Sequence, residues 1–286
     1  MRASCGFRAT APGSVPHACD FPEHEAGCGQ CIWHLMAAGK SLPGDYREQL
    51  VAFVAARRPL MGFVLIGADL GGLSLPGAVL RNANLSGANL SGAVLTGADL
   101  AHAILRNARL SAAALAETDL SHADLAGAML AQAFWRAGVA RQATLHDAVL
   151  SNAYLVGADL SGADLRRALL DRCQLAGSVL DQADLSNAVL DGAIFDNARL
   201  VAANLSGASL VDARLCWANL TRADLVGADL RGADFTAVNA EHADFSRALL
   251  AGAKLAGANL HGALFDGCSL PGARPPDSGA AGPRVD

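Results

Sequence analysis

The densest group of metal-binding side chains lies in the first 34 residues of the chain. Five candidates occur there, and the last two have the spacing C-x2-H: Cys5, Cys19, Cys28, Cys31 and His34. Tetrahedral zinc favours sets of thiolates with an imidazole, and thiols clustered in a reducing compartment suggest metal more than disulfides. We therefore predict a closed, non-catalytic zinc site, with Cys5 or Cys28 as a spare. The alternative is a group of reduced thiols without metal.

The predicted zinc ligands belong to a segment, residues 1–60, that carries no repeat. Later in this segment apolar residues recur at spacings of three and four before Pro59, which predicts an amphipathic helix. The residues in this pattern are Tyr46, Leu50, Phe53, Val54 and Arg57. A short segment with so few core residues also needs a cross-link, such as a bound zinc ion, to stay folded. We expect the helix to cover the first coil of the structure that follows.

From Leu65 to Leu270 a centre residue recurs every five positions, 42 times without a slip. The centre is Leu or Phe except at Trp135, Ala140 and Ala240, and Ala stands two residues before it in 34 of the 42 repeats. A period of five fits neither a helix face nor a flat strand. The chain must therefore bend the same way once per repeat. The centre and the Ala then both point inward, and the residue between them, commonly Asp or Asn, points outward.

The pattern A(D/N)Lxx, as in "GADLSGADL" (157–165) and "RADLVGADL" (222–230), resembles the pentapeptide-repeat family. The resemblance implies an all-β, right-handed quadrilateral β-helix in which four repeats make one coil. At a strand spacing of about 4.8 Å, about ten coils would span roughly 50 Å. We predict a cap over 1–60, a β-helix over 61–273 and a disordered tail over 274–286. The resemblance and an uncapped far end also favour a homodimer through the C-terminal end.

Composition narrows the class of function. A net charge of −5 argues against direct binding of nucleic acid. No stretch is apolar enough for a membrane span or a secretory signal, so a cytoplasmic protein is expected. The repeats contain no nucleophile–base pair and no phosphate-binding loop, which disfavours an enzyme. These observations predict a non-catalytic protein that binds other proteins.

The best-known activity implied by the resemblance is protection of DNA gyrase from inhibitors by imitation of duplex DNA. Acidic residues concentrate on two adjacent sides of the predicted prism, and five on one side are candidate partner contacts: Asp124, Asp164, Asp184, Asp224 and Asp244. Duplex DNA carries one charge per about 1.7 Å, several-fold more than this rod, so mimicry would be partial. The alternative is a scaffold or regulator that docks another partner through the rod faces or the zinc module.

The one central irregularity is "AFWRAGVARQ" (133–142), where Trp135 takes a core position and Ala140 leaves one thin. Phe134 should face outward beside Arg136, with Arg141 nearby, and an exposed aromatic with arginines is typical of an interaction hot spot. The alternative is a local repacking in which the tryptophan fills a void left by a neighbour.

Other reactive side chains lie within the repeats. His102 and His122 should occupy the same corner of adjacent coils, where solvated histidines are a simpler interpretation than a two-ligand metal site. Cys173 and Cys268 replace the inward Ala and are expected to be core thiols. Cys216 should point outward beside Trp217, where it is a candidate reactive thiol.

Overall fold

The computed structural model of the chain describes residues 44–269 in full and the backbone of two short strands before them. These strands are β1 (Ser4–Cys5) and β2 (Cys19–Pro22), and they pair antiparallel. The helix α1 (Tyr46–Ala55) follows, and from residue 61 onward turns and single bridging residues alternate. The predicted disordered tail, 274–286, lies outside the described residues.

The repeats form a parallel β-helix with four sides. Val64 pairs with Asn84 and Asn84 pairs with Ile104, and the same offset of twenty residues recurs up to the pair Leu249–Ser269. The amide of Asn84 donates to the carbonyl of Phe63 (2.8 Å), and the amide of Leu65 donates to the carbonyl of Asn84 (2.7 Å). Since each repeat has five residues, an offset of twenty means that four repeats complete one coil.

The corners share one backbone conformation. In each repeat from residue 62 to residue 267 the second corner residue has a positive φ, between 52° and 73°. Within a corner the amide of Ala88 donates to the carbonyl of Leu85 (3.0 Å), as in a type II turn. Gly87 suits this left-handed conformation, yet Asn82 adopts it too, with φ 59°. Stacking of coils therefore holds the corner even where the residue is not glycine.

The core consists of layered large and small side chains, as the repeat predicts. Leu90 and Ala88 are both fully buried, and this pattern continues along the prism. Two polar residues replace Ala at inward positions, and each bonds a backbone carbonyl. Thr118 donates to Leu95 (2.9 Å), and Ser178 donates to Leu175 (2.6 Å). Buried hydroxyls are therefore satisfied without disturbing the coil.

Helix α1 covers the first coil, as expected. Leu50 is buried in the core, and Phe53 and Val54 pack against it. The Tyr46 hydroxyl donates to the carbonyl of Asp69 (2.7 Å) and accepts from its amide (2.9 Å). These contacts shield the edge of the first coil from water and from strand pairing.

The β-helix begins one repeat earlier than the first centre counted in the sequence. After α1 the chain turns at residues 56–57, with Arg57 at φ 53°, the same conformation as the later corners. Leu60 is then fully buried, and its amide donates to the carbonyl of Val79 (2.7 Å). Leu60 lies inside the segment assigned to the cap because the repeat consensus is not recognisable before residue 61.

Candidate partner-binding faces

The outward residues form four columns, because each stacks on the residue twenty positions later. The acidic face is the column from Val64 to Leu264, and the apolar face runs from Asp69 to Ser269. The aromatic face runs from Ser74 to Lys254, and a fourth face runs from Val79 to Asn259. Any partner that approaches the side of the rod meets one of these columns or a corner between two of them.

The five candidate acids lie in one column, the acidic face, as their spacing predicts. Asp164 stacks on Asp184, and Asp224 stacks on Asp244. Arg106 pairs with Asp124 (2.5 Å) and Arg166 pairs with Asp164 (2.7 Å). The hydrogen bond from Arg166 also lowers the pKa of the Asp164 carboxyl.

The five acids differ in how their charge is compensated. Arg166 approaches Asp184 only to 4.0 Å. Within residues 44–269 no ion pair involves Asp224 or Asp244. The uncompensated negative charge of this column is therefore concentrated at its C-terminal half.

The outward Asp and Asn side chains also hold the corners. The Asp224 carboxylate accepts from the amide of Val226 (2.9 Å), and the Asp244 carboxylate accepts from the amide of Ser246 (2.8 Å). Asn84 makes the same bond to Ser86 (3.1 Å). This two-residue reach is the Asx turn, which explains why the repeat prefers Asp or Asn at that position. From the sequence these positions were predicted only to point outward, although Asp and Asn there also indicate an Asx turn.

On the aromatic face, Phe134 is 58% exposed, and its backbone pairs with that of Tyr154, which is 41% exposed, in the next coil. Arg136 is exposed at the adjoining corner. Arg141 lies at the next corner, across the fourth face, and pairs with Asp159 (2.7 Å). The structure thus places Phe134 and Arg136 side by side and Arg141 on another edge of the rod.

Beneath Phe134, the indole of Trp135 is buried and fills space left by two smaller neighbours. A Cβ on Gly138 would lie 2.1 Å from the indole Nε1, so only glycine fits there. Ala140 is buried at a centre position where the other coils, except at Ala240, place a leucine. Local repacking therefore accounts for the tryptophan, whereas Phe134 lies on the outer surface. The Nε1 atom is buried without a hydrogen-bond partner.

Two exposed apolar features were missed from the sequence. Four successive outward positions of the apolar face are Met129, Val149, Leu169 and Val189. Sorting residues by their position modulo twenty would have revealed them. Trp217 is 68% exposed at a corner with φ 63°, an uncommon conformation for a bulky residue. The second corner position is exposed in most repeats, so its place in the repeat was the signal for this exposure.

The thiols of the rod are not activated. Cys173 is buried and donates to the carbonyl of Leu150 (2.9 Å), and burial raises its pKa to about 12. Partial burial, followed by the nearby Asp234 and Asp196 carboxylates, raises the pKa of Cys216. A raised pKa opposes thiolate formation, so the reactive role suggested for Cys216 is not supported.

The metal hypotheses fall on two regions. The His102 and His122 rings stack with centroids 4.8 Å apart, and within residues 44–269 no group of three or more ligands could hold a metal. In the N-terminal segment the Cα atoms of Cys5 and Cys19 lie opposite each other in the β1–β2 register. The remaining candidates, Cys28, Cys31 and His34, lie outside the described residues, so zinc stays a prediction.

Within the part of the chain that the structure describes, no helix is both long and apolar enough to span a membrane.

No curated protein sequence is significantly similar to the chain. Solved structures do match. HetL of the cyanobacterium Nostoc sp. strain PCC 7120, a pentapeptide repeat protein involved in heterocyst differentiation regulation, is 36% identical, with a TM-score of 0.38. That match covers 79% of this chain and 95% of HetL.

QnrB1, a plasmid-mediated fluoroquinolone resistance protein, is 16% identical to this chain, with a TM-score of 0.45. That match covers 73% of this chain and 92% of QnrB1. The four-sided parallel β-helix formed by residues 61–269 is the architecture expected from the sequence. The family model described as "Pentapeptide repeats" matches in eight copies, over residues 64–101, 93–130, 139–171, 168–207, 198–236 and 243–274. The chain belongs to the pentapeptide-repeat family.

Proposed function

We propose that the rod is a non-catalytic protein-binding module whose acidic face engages a type II topoisomerase, DNA gyrase, and protects it from inhibitors. Members of the family are generally non-catalytic structural or interaction modules. The observation that carries the proposal is the Asp224–Asp244 pair, two stacked carboxylates without an ion-pair partner among the described residues. Their separation of about one strand spacing, ~4.8 Å, approaches that of successive phosphates.

The charge pattern restricts where such mimicry acts. Asp124 and Asp164 are each paired with an arginine, so they offer little field to a basic surface. The C-terminal half of the acidic face keeps its charge, and complementary charge there would steer association with a positively charged partner. We therefore place the contact with the topoisomerase at Asp224 and Asp244.

A gyrase supercoiling assay with a topoisomerase poison tests this function. The double variant Asp224→Asn/Asp244→Asn removes both charges, and asparagine can still accept the corner hydrogen bonds. We expect the native chain to restore supercoiling and the variant to need about tenfold more protein, as for the loss of two charge contacts. Asp119→Asn, on the fourth face, is the matched control and should protect normally. Absence of protection and of binding to either gyrase subunit would reject the proposal.

The second candidate is a scaffold or regulator that docks a partner through the aromatic face. It is favoured by the exposure of Phe134 (58%) next to Tyr154 and Arg136, a composition typical of binding hot spots. A pull-down from the native cell, repeated with Phe134→Ala/Arg136→Ala, separates the candidates. A partner that the variant retains does not use this surface.

We include structural zinc in the N-terminal segment in this proposal, because in a non-catalytic module the metal would only stabilise the fold of that segment. Metal analysis of the purified chain should find one zinc per protein, and Cys31→Ser should lower that ratio. Less than stoichiometric zinc in the native chain would contradict it.

We also propose a cytoplasmic location and a homodimer through the C-terminal end, where the Phe245 and Phe265 rings stack 5.0 Å apart.

A further inference from the structure

The apolar face carries a continuous stripe of apolar side chains. Met129, Val149, Leu169 and Val189 pair successively in one column, and each stacks directly on the next. Met129 is 45% exposed and Leu169 is 39% exposed. Val149 and Val189 are only partly exposed, and with Met129 and Leu169 they form one continuous strip. Contiguous exposed apolar surface of this kind marks an interaction site.

Two charges of opposite sign flank this stripe at equal distances from Leu169, with Ser209 separating Val189 from Asp229. Arg109 lies three coils before Leu169 in the same column, and Asp229 lies three coils after it. Arg109 is exposed and has no ion-pair partner within residues 44–269. Both carboxylate oxygens of Asp229 bond Arg231 (2.8 and 2.6 Å), so part of its charge is compensated and a second guanidinium would use only the remaining lone pairs.

This symmetry selects both an occupant and an orientation. If a second copy lies antiparallel against the apolar face with the twofold axis at Leu169, each Arg109 faces the other chain's Asp229. Val149 then faces Val189, and Leu169 faces its own counterpart. A parallel arrangement would instead place Arg109 against Arg109 and Asp229 against Asp229. Like charges in direct opposition are unfavourable, so the column fits an antiparallel copy of itself.

The corners beside the axis are compatible with this packing. On one side Arg167 would approach its counterpart, but Asp147 pairs with it (2.7 Å) and compensates its charge. On the other side the same axis brings Asp171 to its own counterpart, and the adjacent Arg172 contributes the opposite charge at that corner. The overlap would be about 50 Å long and, for a flat side of three residues, about 10 Å wide. That buries roughly 1,000 Å² in total, the lower limit for a specific interface.

We propose that the chain self-associates side by side and antiparallel through its apolar face, with Leu169 at the twofold axis and reciprocal Arg109–Asp229 ion pairs. The contact is separate from the topoisomerase surface, which lies on the acidic face, and from the C-terminal end. Loss of self-association would therefore leave gyrase protection as an independent question.

Complementary charge variants test the orientation by sedimentation equilibrium of the full chain. Arg109→Asp should raise the dissociation constant about threefold, because it removes the contact with Asp229, and Asp229→Arg should raise it about tenfold, because it opposes arginines and also leaves Arg231 without its partner. An equimolar mixture of the two variants should associate as tightly as the native chain. Unchanged self-association of the single variants, or no recovery in the mixture, would overturn the antiparallel arrangement.

A second pair of variants tests the position of the contact. Leu169→Glu introduces like charges at the axis and should abolish the side-by-side contact, so that only association through the C-terminal end remains. Ile104→Glu is the matched control, because Ile104 is 38% exposed on the acidic face, and it should not change the association. A native chain that does not associate, or one whose association is unchanged by Leu169→Glu, would overturn the proposal.

Discussion

The regular coils and the coil that contains Trp135 share the hydrogen bonds between coils but are built from different side chains. In a regular side, Leu90 and Ala88 fill the interior together. On the irregular sides Trp135 is enlarged, while Gly138 and Ala140 are reduced, yet the amide of Trp135 still donates to Tyr154 (2.8 Å). The comparison teaches that the ladder of backbone hydrogen bonds fixes the coil, whereas side-chain volume can be exchanged between neighbouring sides.

The largest effect is expected at Gly138. A Cβ there would lie 2.1 Å from the buried indole and 3.2 Å from the backbone oxygen of Thr118, so neither neighbour can yield easily. Gly138→Ala should lower the free energy of unfolding by about 3 kcal/mol. Gly97→Ala is the control, because its Cβ meets no atom within 4 Å and only left-handed strain of about 1 kcal/mol is expected. If urea denaturation gave the same loss of unfolding free energy for both variants, the irregular coil would be no more tightly packed at this position than a regular one.

Restoring the regular pattern should have an intermediate effect that reverses. Trp135→Leu alone leaves a void beside Gly138 and Ala140 and should cost about 2 kcal/mol. The triple variant Trp135→Leu/Gly138→Ala/Ala140→Leu refills that void and removes the unpaired buried Nε1. We expect its midpoint of unfolding in urea to return to the native value or exceed it. A triple variant less stable than Trp135→Leu would show that volume is not what the two regions exchange.

A smaller effect is expected outside the core. Asn84→Ala removes the side-chain acceptor for the Ser86 amide and should cost about 1 kcal/mol. Val94→Ala, at an outward position whose side chain cannot accept a hydrogen bond, is the reference for lost outward surface. Hydrogen exchange at the Ser86 amide should accelerate in the first variant only. Unchanged exchange there would mean that coil stacking alone holds the corner.

The smallest effect concerns pH. The hydrogen bond from Arg166 holds the pKa of the Asp164 carboxyl in the folded chain below its ordinary value. This contribution to stability is therefore complete above the unfolded pKa and is lost as pH falls through the folded pKa. Arg166→Gln should raise the Asp164 pKa towards its ordinary value, measured by NMR titration of the carboxyl. An unchanged titration would assign the shift to the corner amide instead.

The sequence predicted the repeat better than it predicted its surface. The period of five placed Leu90, Ala88 and the acidic column correctly, because burial in a coil depends only on position within the repeat. It did not predict that Asp224 and Asp164 differ, because charge compensation depends on which residues the coil brings beside each carboxylate. Arg141 was placed beside Phe134 for the same reason: nearness in sequence does not survive a corner.

The offset of twenty residues also governs how the chain tolerates changes in length. Removing one pentapeptide between Asp184 and Asp224 would keep the interior filled but would rotate every later coil by a quarter turn. Asp224 and Asp244 would then leave the side that carries Asp164 and Asp184. Only insertions or deletions of four whole repeats conserve each side of the prism, so such rods can lengthen by complete coils without relocating a binding surface.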